Sequence, residues 1–324
     1  MSAPAGVRGA AITVAPVVFV LLWSTGFVGA KYGLPYAEPF TFLALRLALA
    51  GALLAGLTAV LRAAWPTDRR QVGRAGVTGL LMHAGYLGGV FFAIDSGLPA
   101  SVAAVVTSLQ PVLTAALATR LLGERLVAVQ WLGLVLGVGG VALVLAPGLA
   151  SAAGDDGAFP PVGVVSCLVA LLCGTAGTLW QKRHGDDIPL LSGTAVQYAA
   201  AALVLVALAA ATEDMTIEWT ADFVLALVWL VLPLSLGAVL LLMFLLRRGS
   251  ASGVSSLLYL VPPATAVEAY LLFGEELPLL SLLGVVVTTV GVALVLRPPG
   301  RRAAPQDWRR TTSPPTPRKL GAGP

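Results

Sequence analysis

ASVAAVVTSLQPVLTA occupies residues 100–115 and ASGVSSLLYLVPPATA residues 251–266. A shift of 151 positions lays Ala100-Ser101 on Ala251-Ser252, Pro111 on Pro262 and Thr114-Ala115 on Thr265-Ala266, without a gap. Working outward, Gly123-Glu124 falls on Gly274-Glu275, and the run Val141 to Leu145 repeats as Val292 to Leu296. Upstream the match thins but persists, with Gly26 on Gly177 and Lys31 on Lys182. A duplication of this kind in a very apolar chain is the pattern of a carrier made from two copies of one membrane unit around a central site.

The bulk composition supports a membrane setting. Hydrophobic residues make up 57% of the 324 positions and charged residues 11%, and the mean hydropathy is +0.89. Soluble domains lie far from this balance. Apolar segments fall near 12–30, 39–61, 75–94, 100–120, 127–146, 161–180, 189–211, 222–246, 252–273 and 279–296. The runs are continuous rather than alternating, and backbone amides in lipid must be satisfied internally, so they read as helices and not barrel strands. The expected fold is an all-α integral membrane protein of ten transmembrane helices arranged as two inverted five-helix repeats. Its expected organisation is an N-terminus at 1–11, a first repeat at 12–146, an external linker at 147–160, a second repeat at 161–296 and a basic, disordered tail at 297–324. The first helix follows a segment carrying Arg8, as a signal peptide would, but lacks a clear cleavage site and is expected to be retained.

Charge sets the expected orientation. Of the 20 Lys and Arg residues, 18 fall on alternate loops and termini that share one side, including Arg69, Arg70 and Arg74, Lys182 and Arg183, and the tail. Lys31 alone falls on the other side, and Arg46 lies within a helix. Basic residues resist translocation, which predicts both termini in the cytoplasm. The acidic loops with Asp155-Asp156 and with Glu213, Asp214 and Glu218 then lie outside. Five helices per copy is an odd number, so the copies must cross in opposite senses, which predicts alternating access to one site. The net charge of +4 is scattered over loops, which argues against a nucleic-acid partner.

The residues then show a family likeness. Trp23-Ser-Thr-Gly-Phe-Val28, Phe42-Leu-Ala-Leu-Arg46, the run Leu109 to Ala118 with Leu122-Gly-Glu-Arg125, and Tyr259 to Ala266 with Leu272-Phe-Gly-Glu-Glu276 resemble the EamA family of the drug/metabolite transporter superfamily. The resemblance covers residues 12–296, and its most specific part is the Pro and Gly-Glu pairing at matching places in both halves. It implies a ten-helix inner-membrane carrier in which helices 1–4 and 6–9 form a basket around a cavity and helices 5 and 10 lie at the periphery. It also implies small metabolites, amino acids or drugs as cargo, often moved outward. Two departures stand out: Gln197 replaces Arg46 in the second copy, and Glu268 stands where the family is commonly apolar.

Ionisable residues inside a span cost about 2.5–3.5 kcal/mol to insert and are functional candidates by default. Arg46 and Glu268 are the clearest, each roughly 8–11 Å below the same membrane surface at 1.5 Å per residue. They are expected to pair, either as a structural lock or as a proton-coupling pair that a proton or charged substrate breaks. His83 and Tyr86, one turn apart, are expected to share a face of the cavity wall. Trp23, Gln110 and Tyr259 complete the expected substrate-binding set. Pro111, Pro262 and Pro263 are expected to break helices at matching positions, which is the best sequence pointer to a carrier site. Trp180 reads as an interfacial anchor. Gly123-Glu124 and Gly274-Glu275 read as helix ends, the glycine closing one helix and the acid favouring the start of the next. Gly133 with Gly137, and Gly85 with Gly89, have the spacing for close helix packing, either within the chain or in a homodimer.

Rival classes find little in the sequence. No His-Glu-x-x-His, Gly-x-Ser-x-Gly or phosphate-binding Gly-Lys-Ser/Thr motif occurs, and only two histidines are present, so neither an enzyme, a metal, a cofactor nor ATP drive is expected. A channel lacks a re-entrant filter segment. A lipid or lipid-linked sugar translocator is the remaining alternative. Cys167 and Cys173 sit six apart in one helix, away from disulfide geometry. Arginine outnumbers lysine 17 to 3, a composition expected of a GC-rich bacterium, which places the chain in the cytoplasmic membrane with a small-molecule substrate and the bilayer as its partners.

Overall fold

The computed structural model describes residues 5–121, 126–151, 158–238 and 257–296 together with Leu241, with side chains from Pro16 onward. The Gly123-Glu124 and Ala251-Ser252 positions, Asp155-Asp156 and the tail lie outside the described residues. Ten helical elements follow in order: α1 (Ala5–Gly33), α2 (Pro39–Val60), α3 (Arg69–Asp95), α4 (Ala100–Arg120), α5 (Ala128–Ala150), α6 (Pro161–His184), α7 (Leu190–Thr212), α8 (Ala221–Ala238), α9 (Leu258–Phe273) and α10 (Leu279–Val295). Among the described residues, eight of them, counting α1 by its apolar stretch Pro16–Tyr36, are long and apolar enough to cross a membrane, and the described parts of α9 and α10 are shorter apolar helices. Among the described residues there is no strand, only an isolated bridge between Ala37 and Ile217. The chain is thus a multi-pass, all-helical membrane protein.

The duplication reappears in the packing. Helix α5 packs on α10 and α2 on α7, each a helix against its own counterpart. Both pairs run antiparallel. A Cβ on Gly133 would lie 2.6 Å from the Gly291 carbonyl oxygen, and one on Gly284 would lie 2.6 Å from that of Gly140, so positions rise along α5 as they fall along α10. Along α2, Thr41 meets Glu213, Gly51 meets Tyr198, and the Ala64 carbonyl accepts from Ser192. Equivalent helices that contact antiparallel can only belong to inverted copies. The remaining contacts obey the same symmetry, with α1 on α8 and α9 matched by α6 on α3 and α4.

In lipid the hydrophobic effect does not drive helices together, so close van der Waals packing must. The small residues supply it. Gly133, Gly137 and Gly140 of α5 meet α10 and α4, Gly85 meets Cys173, and Gly89 meets Ala170, all within the chain. Large apolar side chains such as Leu203, Val135 and Leu225 point outward and are exposed, as a lipid-facing surface requires. Cys167 and Cys173 are free thiols.

Two faces terminate the bundle. On the face bearing the acidic loops, ties between the copies are dense. Gly274 takes a left-handed conformation (φ 63°) after α9, the usual role of glycine past a helix end. That reversal brings Glu275 to the start of α4, not α10 as the sequence suggested. Glu275 accepts from the Ala100 amide (3.0 Å), the Ser101 amide (3.3 Å) and the Ser101 hydroxyl (2.7 Å), and pairs with Lys31 at 2.5 Å. Glu213 does the same for α2, accepting from the Phe40 and Thr41 amides at 2.8 Å and the Thr41 hydroxyl at 2.7 Å. Both helices begin without a side-chain cap of their own, so a carboxylate from the other copy satisfies their free N–H groups and dipole. Asp222 at the start of α8 accepts from the Tyr32 and Tyr36 hydroxyls.

Candidate functional site

The centre of the fold is shaped by two departures from α-helical geometry. Residues Leu80–Leu87 of α3 and Leu230–Ala238 of α8 are π-helical, and the 151-residue shift superposes them to within one position. Such i→i+5 turns are rare and recur at functional sites. In α8, Pro233 lies inside the π turn and withholds an amide from the helix ladder. The Ser235 hydroxyl donates to the Leu230 carbonyl at 2.8 Å, five residues back.

Arg46, the eighth of the 22 residues of α2, reaches this turn. It is 5% exposed, and its Nη2 donates to Ser235 Oγ at 3.4 Å. The guanidinium carbon lies 5.9 Å from the centre of the Phe91 ring. Its Nε is buried without an acceptor. His83, from the π turn of α3, faces the same region. Its Nε2 meets Gln197 Oε1 at 3.3 Å, and its ring stands edge-on to Tyr198 at 4.7 Å between centroids. With a carbonyl oxygen opposite, Nε2 carries the hydrogen, which leaves Nδ1 as a buried acceptor without a donor. Tyr198 and His83 both lie within electrostatic reach of the Arg46 charge. Four helices, α2, α3, α7 and α8, therefore converge their polar side chains on one point at the interface of the copies. A small crevice of about 40 Å³ lies at the basic-loop end of α3, α6 and α7, lined by Thr78, Gln181, Ile188, Leu190, Gly193 and Gln197.

Two further polar contacts flank this cluster. Gln110 of α4 donates to the Gly174 carbonyl at 3.1 Å and to the Thr178 hydroxyl at 2.7 Å, tying α4 to α6. Glu268 of α9 accepts from the Ser24 hydroxyl of α1 at 2.6 Å, and its other oxygen is buried without a donor.

The pairing of Arg46 with Glu268 expected from the sequence is not made. Arg46 points from α2 toward α8, and Glu268 points from α9 toward α1, so equal depth placed them on different sides of the bundle. The expectation that His83 and Tyr86 share a face also fails. His83 faces α7, whereas Tyr86 packs beside Gly174 of α6 and neighbours Thr107. The wide π turn spreads residues three apart, which α-helical spacing would have brought together. Trp23 meets the Phe19 ring at 5.3 Å between centroids, tilted by 42°, in a small cluster with Leu257 and Leu258, and also packs against the main core. Tyr259 packs against the main core. Helix α4 breaks at Ser108-Leu109 and resumes at Gln110, with Pro111 its second residue. Helix α9 opens with a 3₁₀ turn, Leu258–Leu260, followed by Pro262 and Pro263 in its first turn. These interruptions correspond under the repeat. Trp180 donates to the Arg74 carbonyl at 3.1 Å at the basic-loop end of α6.

Sequence reasoning missed Ser235 and Tyr198, and took Gln197 only as a departure from Arg46. No local motif marks Ser235 or Tyr198; the signal available was that Gln197 stands at the repeat position of Arg46, next to Tyr198. Among the described residues no cluster of His, Cys, Asp and Glu has metal-binding geometry.

The profile of the EamA-like transporter family matches this chain twice, at residues 10–146 and 161–297. The uncharacterized transporter YvbV of Bacillus subtilis is 28% identical over 285 residues, covering 85% of this chain and 88% of its own length. The uncharacterized inner membrane transporter YedA of Escherichia coli K12 is 25% identical over 275 residues, at 85% and 87% coverage. A chloroplastic WAT1-related protein of Arabidopsis thaliana is 26% identical over 302 residues, at 89% and 69% coverage. A solved crystal structure shares the fold with a TM-score of 0.61 at 22% identity, covering 88% of this chain and 96% of its own. With the duplicated unit, the inverted packing and two family matches that together span most of its length, the chain belongs to the EamA-like transporter family.

Proposed function

We propose that this chain is a secondary transporter that exports small solutes across a bacterial cytoplasmic membrane by alternating access, with the basic loops and both termini in the cytoplasm and α9 and α10 as its ninth and tenth spans. The observation that carries the reading is a polar cluster on α2, α3, α7 and α8, where the two inverted copies meet, with a small crevice at its basic-loop end and carboxylate ties across the acidic-loop face. Arg46 Nε and His83 Nδ1 are buried there without partners. Unpaired polar atoms at such depth are costly, and in a span they mark pathways for solutes or protons. The ties of Glu275, Glu213 and Asp222 across the acidic-loop face support an inward-facing arrangement in which that face is the closed gate. Inverted copies can exchange these roles. Glu268, half-buried with one oxygen free of donors, is the candidate for proton coupling.

Solute counterflow into proteoliposomes, screened across amino acids, aromatic acids, neutral aromatics and cationic drugs, tests the proposal. Saturable exchange of at least one solute is the expected result. Absence of any solute flux together with lipid scrambling would replace it with a lipid translocator.

A further inference from the structure

We infer that Arg46 is the binding site for the carboxylate of a small organic anion, so that the transported solute carries a negative charge. The inference rests on the transporter reading above and deepens it.

A guanidinium stays charged at any accessible pH and offers five donors in a fixed fork. Buried arginines are therefore expected to face a carboxylate or phosphate. Arg46 does not. Among the described residues the ion pairs are Lys31 with Glu275 and Arg74 with Asp187. Glu268, the nearest carboxylate by depth, is held by Ser24 on another side of the bundle. What Arg46 has is one long hydrogen bond to a hydroxyl and the face of Phe91, neither of which carries charge. Its counterpart in the other copy, Gln197, is neutral, so the duplication supplies no compensating acid. The buried positive charge is thus open at Nε, part of the edge that takes a carboxylate side-on, and the polar residue facing it from α7 through His83 is the neutral Gln197. The Phe91 and Tyr198 rings near the fork suit an apolar or aromatic skeleton behind the carboxylate. A cationic solute would meet repulsion at the same place. A static lock is the competing account, and it would require an acidic partner that the arginine lacks.

Phenylacetate, phenylacetamide and phenethylamine share one skeleton with charges of minus one, zero and plus one. Binding to the purified full-length protein in nanodiscs, read as protection against heat, and counterflow in proteoliposomes are measured for all three. Phenylacetate is expected to bind and exchange, the amide to bind about tenfold more weakly or worse, and the amine not to bind, since charge-assisted hydrogen bonds are the strong ones. Arg46→Gln should remove the preference for the acid over the amide, and Arg46→Lys should restore it only in part because the fork is lost. The wild-type ranking stands alone as a test if either variant fails to fold. Exchange of the amide or amine at least as strong as that of the acid, unchanged in Arg46→Gln, would overturn the carboxylate site and leave the transporter reading intact. Protection by phenylacetate without flux of any solute would keep the site and overturn the transporter reading. Protection by sodium chloride equal to that by phenylacetate would assign Arg46 to an inorganic ion and overturn the proposal.

Discussion

The α1–α9 pair and the α6–α4 pair are the same packing unit in the two copies, yet they bury different chemistry. The first holds a carboxylate, Glu268, against the Ser24 hydroxyl; the second holds an amide, Gln110, against Thr178 and a backbone carbonyl. Between α2 and its counterpart α7 the contrast is sharper, with the cation Arg46 standing where the other copy has the neutral Gln197. Backbone features, by contrast, agree: both π segments, both interruptions in α4 and α9, and the glycine contacts of α5 with α10. Duplication has preserved the packing scaffold and has let the buried polar groups diverge. The shared scaffold and the divergent centre should therefore fail differently when perturbed.

The largest effect should come from the scaffold. Any side chain at Gly284 would meet the Gly140 carbonyl and Val144 of α5, whereas Gly139 has no neighbour within 4 Å. Gly284→Val is expected to destabilise by about 3 kcal/mol or more, as overpacking does, and Gly139→Val to be near neutral. Surviving monodisperse protein after heating, followed by size-exclusion chromatography, reads the difference. Similar behaviour of the two variants would mean that α5 and α10 are not packed as described.

The next break is at the centre. Exchanging these repeat counterparts in the double variant Arg46→Gln with Gln197→Arg preserves the total charge and would preserve function if the copies were interchangeable. They are not, because the repeat counterpart of Ser235 is Ala84, which has no hydroxyl to orient a guanidinium from the opposite side. The exchanged protein is expected to fold and to carry out counterflow at less than about a tenth of the wild-type rate, since a misplaced charge contact costs on the order of 1.5–3 kcal/mol. Full activity would show that orientation of the arginine is irrelevant.

How much of this was legible beforehand follows the same division. The repeat, the inversion and most helix ends could be read from the chain because hydrophobic runs and the 151-residue offset are one-dimensional signals. The glycine spacings were legible too, although their partners were not. The caps were hidden because Glu275 and Glu213 act on helices more than 170 residues away, and a Gly-Glu pair looks like a local helix start. The π turns defeated the shared-face reading of His83 and Tyr86, since nothing in LLMHAGYL at residues 80–87 departs from α-helical patterning. Arg46 and Glu268 were matched by distance along their helices, and that distance says nothing about their azimuth.

A smaller effect separates the two cross-copy caps. Burial alone would raise the Glu275 carboxyl, but the Lys31 ammonium, the Ser101 hydroxyl and the Ala100 amide outweigh it and hold the group below its ordinary value of 4.5. A depressed carboxyl contributes stability that is present above that ordinary value and is lost as pH falls through the lower folded-state value. Glu275→Gln should therefore cost about 1–2 kcal/mol at pH 7, in the range of lost helix caps. The gap to wild type should narrow between pH 7 and an acid pH, as the group is protonated through its lowered folded-state value. Heat inactivation in detergent at the two pH values measures it, and a gap that persisted in acid would mean that the glutamate acts through shape rather than charge.

The smallest effect should fall on Glu268. If that carboxylate exchanges protons, Glu268→Gln should leave counterflow without a pH gradient within about twofold of wild type while abolishing the response to an imposed gradient, because only the step that needs a titrating group is removed. Gln110→Glu at the equivalent helix pair supplies the control. It places an acid where α4 meets α6 but opposite a carbonyl and a threonine hydroxyl that now accepts and donates in a different pattern, so it should not create a gradient response in the Glu268→Gln background. A response that survived in Glu268→Gln would assign coupling elsewhere, and one regained in the double variant would show that either copy can host it, which would make the divergence between the two helix pairs one of position and not of chemistry.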